Sequence, residues 1–371
     1  MNKINLLYLV STLKKSGPLN IIFGIASGLD KERFNIIILS LSRAKSESMY
    51  TDFEGIKCEI IELKNSRLKG VFKNKEKVMS VVRNRNIDLV HSHGLRADMI
   101  NGSLTGVARM TTIHNFPDED YILKYGKVKG RIISLKHRKA ISKIETRISC
   151  SHYIKEKFYE DYGLNTYCIQ NGVNINTFSN KSIHSVESLR KNLSLPIEKK
   201  IFLVSGSLIK RKDPVTILKA FRLSQVEDIM LIFIGSGNME DELKRNFQDS
   251  RIEFKGIVHD VKDYLDASDN FISASYSEGL PNSVLEALSA GLPLILSDIP
   301  SHSEIVGKNY PLLFRPGDPL DLAQKMKILL SDQFSHSLLR NKEQLFQKFD
   351  SDRMAGQYQT KYLEQCQLTE I

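Results

Sequence analysis

The sequence predicts an α/β protein with two domains, each built on a parallel β-sheet covered by helices. Its length of 371 residues suits two domains of ordinary size. Short apolar runs rich in β-branched residues recur along the chain, and helix-like stretches separate them. No apolar run approaches the roughly 20 residues that a membrane-spanning helix needs, so we expect a soluble protein.

The first half carries seven such runs, which we interpret as the strands of one sheet. They are Ile4 to Val10, Asn35 to Leu41, Glu59 to Leu63, Ile87 to His91, Thr111 to His114, Arg147 to Ser151 and Tyr167 to Gln170. The chain then passes through Asn171-Gly172-Val173-Asn174 into a polar stretch. We therefore predict a first domain over residues 1–178.

The same pattern begins again in the second half and predicts a second domain over residues 179–350. Its strands are Ile201 to Ser205, Met230 to Ile234, Ile252 to Phe254, Asn270 to Ala274 and Leu294 to Ser297, with helical segments such as Val215 to Phe221 between them. Residues 351–371 are predicted to form a separate C-terminal helix, whose side chains Tyr358, Tyr362 and Leu363 are available for docking.

Charge is distributed unevenly between the two halves. Residues 1–180 hold 29 Lys and Arg against 17 Asp and Glu, whereas residues 181–371 hold 24 against 26. The basic half indicates an anionic partner, which could be a membrane, a nucleic acid or a phosphorylated acceptor. The four cysteines are scattered without a CxxC pair, so neither a zinc site nor a disulfide framework is predicted, and a reducing cytoplasm is the expected location.

The most informative motif lies between the predicted strands at 270–274 and 294–297. Gly279 and Pro281 break the strand, Asn282 or Ser283 can cap a helix, and Gly291 can end it. This places Glu278 on a loop and Glu286 in an early helical turn. Backbone amides at the helix start would face an anion, and Glu286 could accept hydrogen bonds from the two hydroxyls of a ribose. The alternative is a solvated turn residue and a carboxylate that complements the helix dipole.

This stretch resembles the retaining family 4 glycosyltransferases of the GT-B fold, of the type that builds bacterial surface polysaccharides. Their signature is a pair of glutamates separated by seven residues in an EGxP...EAxxxGxP context, which Glu278 and Glu286 match. The resemblance implies two facing Rossmann-like domains and a C-terminal helix that returns to the first. It also implies that Glu278 contacts the donor sugar, that Glu286 binds the ribose, and that the backbone around Gly279, Leu280, Pro281 and Asn282 meets sugar and phosphate.

A second match to the family follows the strand at 201–205. Lys212 fits the lysine that opens the next helix, but Ser207 occupies the position where the family usually has an arginine, and Arg211 is the candidate replacement. Cations there would neutralise a leaving diphosphate. Gly235 resembles the glycine turn after the next strand, and Gly256 lies in the segment whose backbone usually reads the base.

The first half offers two further candidates by resemblance. His114 follows a predicted strand and is expected to contact the donor sugar, while Gly17 lies where the family has a glycine-rich loop near the diphosphate. A structural histidine is the alternative for His114. His91 and His93 share one face of an extended segment, for which we favour a structural or acceptor-side role over metal ligation.

From Lys124 to Lys157 the chain carries eleven Lys and Arg residues against Glu145 and Glu156. Ile133, Ala140, Ile141 and Ile144 fall at helical spacing within this segment, so we interpret it as a basic amphipathic helix. It suits an anionic membrane surface or a lipid-linked acceptor phosphate. A core helix with a solvated charged face is the alternative.

The resulting expectation is an enzyme that moves a hexose or N-acetylhexosamine from a nucleoside-diphosphate sugar to a saccharide acceptor with retention of configuration. A UDP-sugar is favoured over a GDP-sugar, the acceptor is expected to be lipid-linked, and the product to be O-antigen, capsule or exopolysaccharide. We expect no cofactor and no metal, and a cytoplasmic or peripheral membrane location. The alternatives are a sugar-nucleotide epimerase of the same fold and a basic nucleic-acid-binding protein, although no nucleic-acid recognition motif is present.

Overall fold

The computed structural model describes residues 3–44, 47–63, 71–179, 185–331 and 347–367. It divides the chain into two compact units. The first contains Met1–Val173 and Phe349–Ile371, and the second contains Asn174–Lys348. The chain thus leaves the first unit after Val173 rather than after Phe178, and returns at Phe349. Parts of the predicted domain ranges, including 180–184, 332–346 and 368–371, lie outside the described residues.

The first unit is built on a parallel seven-stranded sheet with the strand order β3-β2-β1-β4-β5-β6-β7. Its elements are β1 (Ile4–Val10), α1 (Gly17–Gly28), β2 (Phe34–Ser40), α2 (Tyr50–Gly55), β3 (Glu59–Glu62), α3 (Val71–Asn84), β4 (Leu89–His93), α4 (Leu95–Asn101), β5 (Ala108–Ile113), α5 (Pro117–Tyr125), α6 (Lys127–Ile141), β6 (Thr146–Ser149), α7 (His152–Tyr162) and β7 (Tyr167–Cys168).

The second unit is built on a parallel six-stranded sheet with the order β10-β9-β8-β11-β12-β13. Its elements are α8 (Ile175–Ser179), α9 (Val186–Asn192), β8 (Lys200–Ser205), a 3₁₀ turn (Lys210–Lys212), α10 (Pro214–Ser224), β9 (Ile229–Ile234), α11 (Glu240–Asn246), β10 (Ile252–Gly256), α12 (Val261–Asp266), β11 (Asn270–Ser273), α13 (Asn282–Ser289), β12 (Leu294–Ser297), α14 (Pro300–Val306), β13 (Leu313–Phe314) and α15 (Pro319–Leu330).

Both sheets share one topological feature. Strand order runs outward in one direction from β1 to β3 and from β8 to β10, then in the other direction beginning with β4 and β11. The crevice beside such a reversal, at the carboxyl ends of the strands, is where open parallel sheets bind ligands. The loops after β8 and β11 are therefore the first place to look for a site in the second unit.

The last described helix, α16 (Ser351–Gln367), completes the core of the first unit. Tyr358 and Tyr362 are fully buried, and Leu363 packs against the same core. The Tyr362 hydroxyl lies 2.9 Å from the Tyr8 hydroxyl and 2.8 Å from Nδ1 of His91. The Tyr358 hydroxyl lies 2.9 Å from Oγ1 of Thr112. These hydrogen bonds let polar groups of β1, β4 and β5 be buried beneath α16.

The two passages of the chain between the units are joined by hydrogen bonds. Val173 donates its N–H to the carbonyl of Phe349 at 2.9 Å, and Ser351 donates to the carbonyl of Val173 at 3.0 Å. A side chain at Gly172 would place its Cβ 2.4 Å from the carbonyl oxygen of Asp350. This close approach explains why the Asn-Gly-Val-Asn segment needs a glycine there.

Most of the predicted strands coincide with observed ones, with shifts of a few residues at their ends. Ile4–Val10 and Leu294–Ser297 are found as predicted. β4 extends to His93, so both His91 and His93 lie within the strand, and β5 ends at Ile113, one residue before His114. Short β13 was not predicted.

The interpretation of Lys124 to Lys157 as one amphipathic helix is wrong. The segment contains the end of α5, all of α6, the strand β6 and part of α7. Ala140 and Ile141 are buried on α6, but Ile144 lies beyond the helix, in the turn before β6. The break occurs because α6 must end for the chain to enter the sheet. Among the described residues, no helix is both long and apolar enough to cross a bilayer.

We predict that Tyr362→Phe lowers the free energy of unfolding by about 1–3 kcal/mol. The variant leaves buried polar groups of Tyr8 and His91 without their partner, which costs more than the hydrogen bond itself gains. Chemical denaturation followed by far-UV circular dichroism measures the difference. Tyr159→Phe is the matched control because the Tyr159 side chain is 61% exposed. Equal stabilities of the two variants would contradict the role assigned to α16.

Candidate active site

The second unit places a carboxylate between two cations beside the carboxyl ends of β8 and β11. Nη1 of Arg211 donates to Oε2 of Glu278 at 2.5 Å, and Nζ of Lys212 lies 2.5 Å from Oε1. The Ser275 hydroxyl donates to Oε1 at 2.7 Å. Glu278 is only 4% exposed, and the two cations are partly buried, so the group is an ionic cluster with one negative and two positive charges around a buried carboxylate.

The local sequence explains how these side chains meet. Lys210, Arg211 and Lys212 form a single 3₁₀ turn, which ends at Asp213 in the left-handed conformation with φ of 45°. Asp213 then caps α10 by accepting from the N–H of Thr216. The turn is also fixed to the neighbouring loop, because Tyr276 donates its N–H to the carbonyl of Arg211 at 2.8 Å.

The charge state of Glu278 follows from its neighbours. Burial alone would raise its pKa, but the positive charges of Arg211 and Lys212 more than offset this and hold the pKa of Glu278 well below its usual range. Glu278 is therefore ionised at neutral pH. The cluster carries one net positive charge, and it can accept hydrogen bonds from hydroxyls while its cations attract an anion.

Glycines Gly206, Gly235 and Gly256 form turns at the carboxyl ends of β8, β9 and β10. Gly206 and Gly235 have φ of 146° and 116°, and Gly256 has φ of 70°. Gly206 donates its N–H to Ile234, and Gly235 donates to Gly256. A side chain at Gly235 would place Cβ 2.1 Å from the carbonyl oxygen of Gly206, so only glycine fits there. At Gly206 the nearest side-chain atom is Cε of Lys212, at 3.6 Å from a built Cβ.

Helix α13 begins directly after the Glu278 loop. Its first residue is Asn282 and its N-cap is Pro281, so the prediction that Asn282 or Ser283 would be the cap is corrected. Gly279, Leu280 and Pro281 are buried. Glu286 lies half-buried in the second turn of α13. Backbone N–H groups at this end carry the positive end of the helix dipole, which favours an anion there.

Ser207 is exposed at the turn after β8. A neutral hydroxyl cannot form an ion pair, and the guanidinium of this cluster comes from Arg211 instead. Thus Lys212, Arg211, Glu278, Gly235 and Gly256 lie at or just after the carboxyl ends of strands of the same sheet. Gly17 and His114 belong to the first unit, where Gly17 is the exposed first residue of α1.

His114 lies directly after β5 and pairs with another histidine. Its Nε2 is 2.9 Å from Nδ1 of His93, and the rings are stacked with centroids 5.2 Å apart. Burial lowers the pKa of His114 to about 4 and lowers that of His93 as well, so both rings are neutral at pH 7. Nε2 of His93 is buried and has no hydrogen-bond partner among the residues that the structure describes. His91, by contrast, uses both ring nitrogens in hydrogen bonds within the core, to Tyr362 and Thr112, which supports its structural role.

Two family models match this chain, one in each half. The model described as glycosyltransferase family 4 matches residues 17–177, and the model described as glycosyl transferases group 1 matches residues 185–345. The chain belongs to the family 4 glycosyltransferases. The assignment agrees with the paired glutamates Glu278 and Glu286 that indicated the family from sequence.

Two relatives of this glycosyltransferase are named as glycosyltransferases of Escherichia coli. The O-antigen biosynthesis glycosyltransferase WclY of Escherichia coli is 25% identical over 96% of this chain and 97% of its own. UDP-Gal:α-D-GlcNAc-diphosphoundecaprenol α-1,3-galactosyltransferase of Escherichia coli is 26% identical over 62% of each chain, so the match spans a little under two thirds of that relative's length.

A solved structure shows that the fold of this glycosyltransferase is GT-B. Anabaena HepE in complex with UDP and glucose superposes with a TM-score of 0.82, covering 97% of this chain and all of HepE, at 18% identity. The predicted fold class, with two Rossmann-like parallel sheets and a C-terminal helix packed on the first, is therefore confirmed.

A hydroxyl network that was not predicted from the sequence supports Glu278 of this glycosyltransferase. His302 is buried and its Nδ1 donates to the carbonyl of Ser297 at 2.8 Å. The Ser297 hydroxyl donates to the carbonyl of Ser275, whose own hydroxyl bonds Glu278. Burial lowers the pKa of His302 to about 4, so it serves as a neutral support. Serines at the ends of β11 and β12 were the available signal.

We predict that Glu278→Gln lowers the free energy of unfolding by about 3 kcal/mol at pH 7, because two partly buried cations then lack their counter-charge. The folded-state pKa of Glu278 is depressed, so its stabilising contribution is complete above the ordinary glutamate pKa of 4.5 and is lost as pH falls below it. The difference in free energy of unfolding between variant and wild type should become smaller as pH falls from 5 to 3. Urea denaturation across this range measures it, and a gap independent of pH would contradict the assignment.

Proposed function

We propose that this glycosyltransferase moves a hexose or N-acetylhexosamine from a nucleoside-diphosphate sugar to a saccharide acceptor, with retention of anomeric configuration. The observation that carries the proposal is the contact of Glu278 with both Arg211 and Lys212 beside the glycine turns. A nucleotide sugar needs both kinds of group, since its diphosphate is anionic and its sugar is a donor of hydroxyl hydrogen bonds. A UDP-sugar is the favoured donor, and the UDP complex of HepE supports this choice.

In the proposed reaction Lys212 and Arg211 neutralise the leaving diphosphate. Negative charge grows on the oxygen that leaves the anomeric carbon, and cations already in place stabilise that charge without reorganisation. Glu278 balances the two cations when no diphosphate is near them. When the diphosphate takes over that role, the carboxylate is released to accept hydrogen bonds from sugar hydroxyls.

We assign roles in donor binding to other residues of the second unit from their positions. The N–H groups at the start of α13, after Gly279, Leu280 and Pro281, face the donor sugar and phosphate. Asn282 joins them as the first residue of that helix. Glu286 accepts hydrogen bonds from the ribose hydroxyls, as a half-buried carboxylate can. Gly235 and Gly256 allow the backbone to approach the nucleotide closely.

In the first unit the proposal assigns His114 to a contact with the donor sugar and Gly17 to the neighbourhood of the diphosphate. A neutral ring suits His114, because an uncharged imidazole can both donate to and accept from sugar hydroxyls. We propose a lipid-linked acceptor, which the name of the diphosphoundecaprenol-dependent relative supports. A surface polysaccharide is the proposed product, and four cysteines scattered along the sequence without a disulfide framework fit a cytoplasmic location.

We predict that one nucleotide sugar among UDP-glucose, UDP-galactose, their N-acetylamino counterparts and GDP-mannose raises the melting temperature of the wild type. Lys212→Ala should weaken its binding about tenfold or more, the value of a lost hydrogen bond to a charged group. Glu286→Ala should act in the same direction. Thermal shift and isothermal titration calorimetry measure both effects.

Lys210→Ala is the matched control for this experiment, because Lys210 is an exposed lysine of the same 3₁₀ turn. It removes the same charge but no contact with Glu278. Equal weakening of donor binding by Lys210→Ala and Lys212→Ala would contradict the role assigned to Lys212. Normal donor binding by both Lys212→Ala and Glu286→Ala would contradict the proposed site.

We further expect the product to keep the anomeric configuration of the donor, and turnover to continue in EDTA because Lys212 and Arg211 supply the positive charge. Proton NMR of the purified product distinguishes the anomers by their coupling constants. An inverted product would refute retention. A free sugar nucleotide with altered stereochemistry and no transfer would identify an epimerase instead.

A further inference from the structure

One face of helix α6 packs closely against the rest of the first unit, and these contacts fix the rotation of the helix about its own axis. A side chain at Gly130 would place Cβ 2.5 Å from the carbonyl oxygen of Tyr121, so α5 and α6 touch there backbone to backbone. Two turns further on, Nε2 of His137 lies 2.6 Å from Oδ2 of Asp98, while its Nδ1 lies 2.8 Å from the Tyr121 hydroxyl. Asp98 is buried and also accepts from hydroxyls of β4 and β5. The helix therefore has little freedom to rotate.

The opposite face of α6 presents apolar side chains to solvent. Val128, Ile132 and Leu135 are 77%, 50% and 53% exposed. Their spacing of four and then three residues places them on one stripe, which we call the apolar ridge. It is a different set from the apolar residues that the sequence pattern suggested, since Ala140 and Ile141 face the core. A single exposed leucine is ordinary, but three in one stripe form a patch.

Cations surround the apolar ridge. α6 contains six Lys and Arg residues and no acidic residue. Five of the six are exposed: Lys127, Lys129, Arg131, Lys136 and Lys139. Within the part of the chain that the structure describes, none of these five forms an ion pair. Lys124 and Lys129 also lie over the ring of half-exposed Tyr125, at 5.3 and 5.5 Å from its centroid.

We propose that this face of α6 docks on an anionic lipid bilayer, with the apolar ridge entering the headgroup region and the five cations meeting lipid phosphates. A surface helix that combines an apolar stripe with flanking Lys and Arg has the features of an interfacial anchor. The inference goes beyond sugar transfer and does not depend on the identity of the donor.

An acidic polysaccharide and a second copy of the chain both fit this face less well than a bilayer does. A polyanion such as an acidic polysaccharide would use the cations but would leave the apolar ridge in water. A second copy of the chain could cover the ridge, but a two-fold contact there would place the cations of one copy against those of the other. A bilayer with anionic lipids satisfies both the ridge and the cations.

Ile132→Trp provides a direct test, because the chain contains no tryptophan and the new side chain is the only one that emits as an indole. With vesicles of phosphatidylglycerol and phosphatidylcholine, we expect its fluorescence to shift to shorter wavelength and to be quenched by brominated acyl chains. Vesicles of phosphatidylcholine alone should produce neither effect. Leu320→Trp is the matched control, since Leu320 is 68% exposed on α15 of the second unit.

The outcomes of this test are distinct. A shift at position 132 but not at 320 supports the docking face. No shift at 132, or equal shifts at both positions, overturns it. A shift at 132 without vesicles, together with a doubled mass in light scattering, would show a dimer and would overturn it as well.

Vesicle sedimentation of two double variants measures the contributions of the apolar ridge and of the cations to membrane binding separately. Ile132→Ser with Leu135→Ser should weaken binding to the anionic vesicles about tenfold, and Lys136→Gln with Lys139→Gln should weaken it about fivefold for each lysine. Donor binding and melting temperature should stay unchanged in both, since all four side chains are exposed. Wild-type binding by the serine variant would refute insertion of the ridge. A failure of donor binding in every protein, with vesicle binding intact, would count against the proposed function alone.

Discussion

Removing the Glu278 carboxylate from water costs several kcal/mol unless nearby charges and hydrogen bonds offset it, and this constraint organises the candidate site of the second unit. Arg211 and Lys212 supply the charges, so the loop after β8 must stay against the loop after β11. Ser275 supplies the remaining hydrogen bond. Side-chain contacts thereby hold the loops of two neighbouring strands in a fixed relation, and the single 3₁₀ turn of the first loop carries both cations.

The same cluster suits a substrate that carries both charge and hydroxyl groups. Two cations and one carboxylate leave one positive charge, which a diphosphate can neutralise. The glycine turns extend this surface along the ends of the strands, because Gly206 brings bare backbone next to Lys212 and Gly235 lies against the backbone of Gly206. Charge recognition and close backbone approach thus occur at adjacent strand ends, which a parallel sheet provides by aligning its carboxyl ends.

The first unit uses buried polar contacts to fix helices rather than loops. Tyr362 ties α16 to β1 and β4, and His137 ties α6 to Asp98. In each case a buried hydrogen bond defines one rotational setting of the helix, because any other setting would leave a polar group without a partner. The outward face of α6 is a consequence of this setting, and it presents an apolar stripe among cations.

The sequence by itself determined most of the strands, the two-unit organisation and the family, and it singled out Glu278, Glu286 and Lys212 as candidates, because short apolar runs and glycine-proline breaks are local signals. It did not determine that Arg211 contacts Glu278, that His302 supports that loop through Ser297, or which side of α6 faces water. Those facts depend on which strands are neighbours and how each helix is rotated. Contacts between residues distant in sequence decide both, and only the tertiary structure contains them.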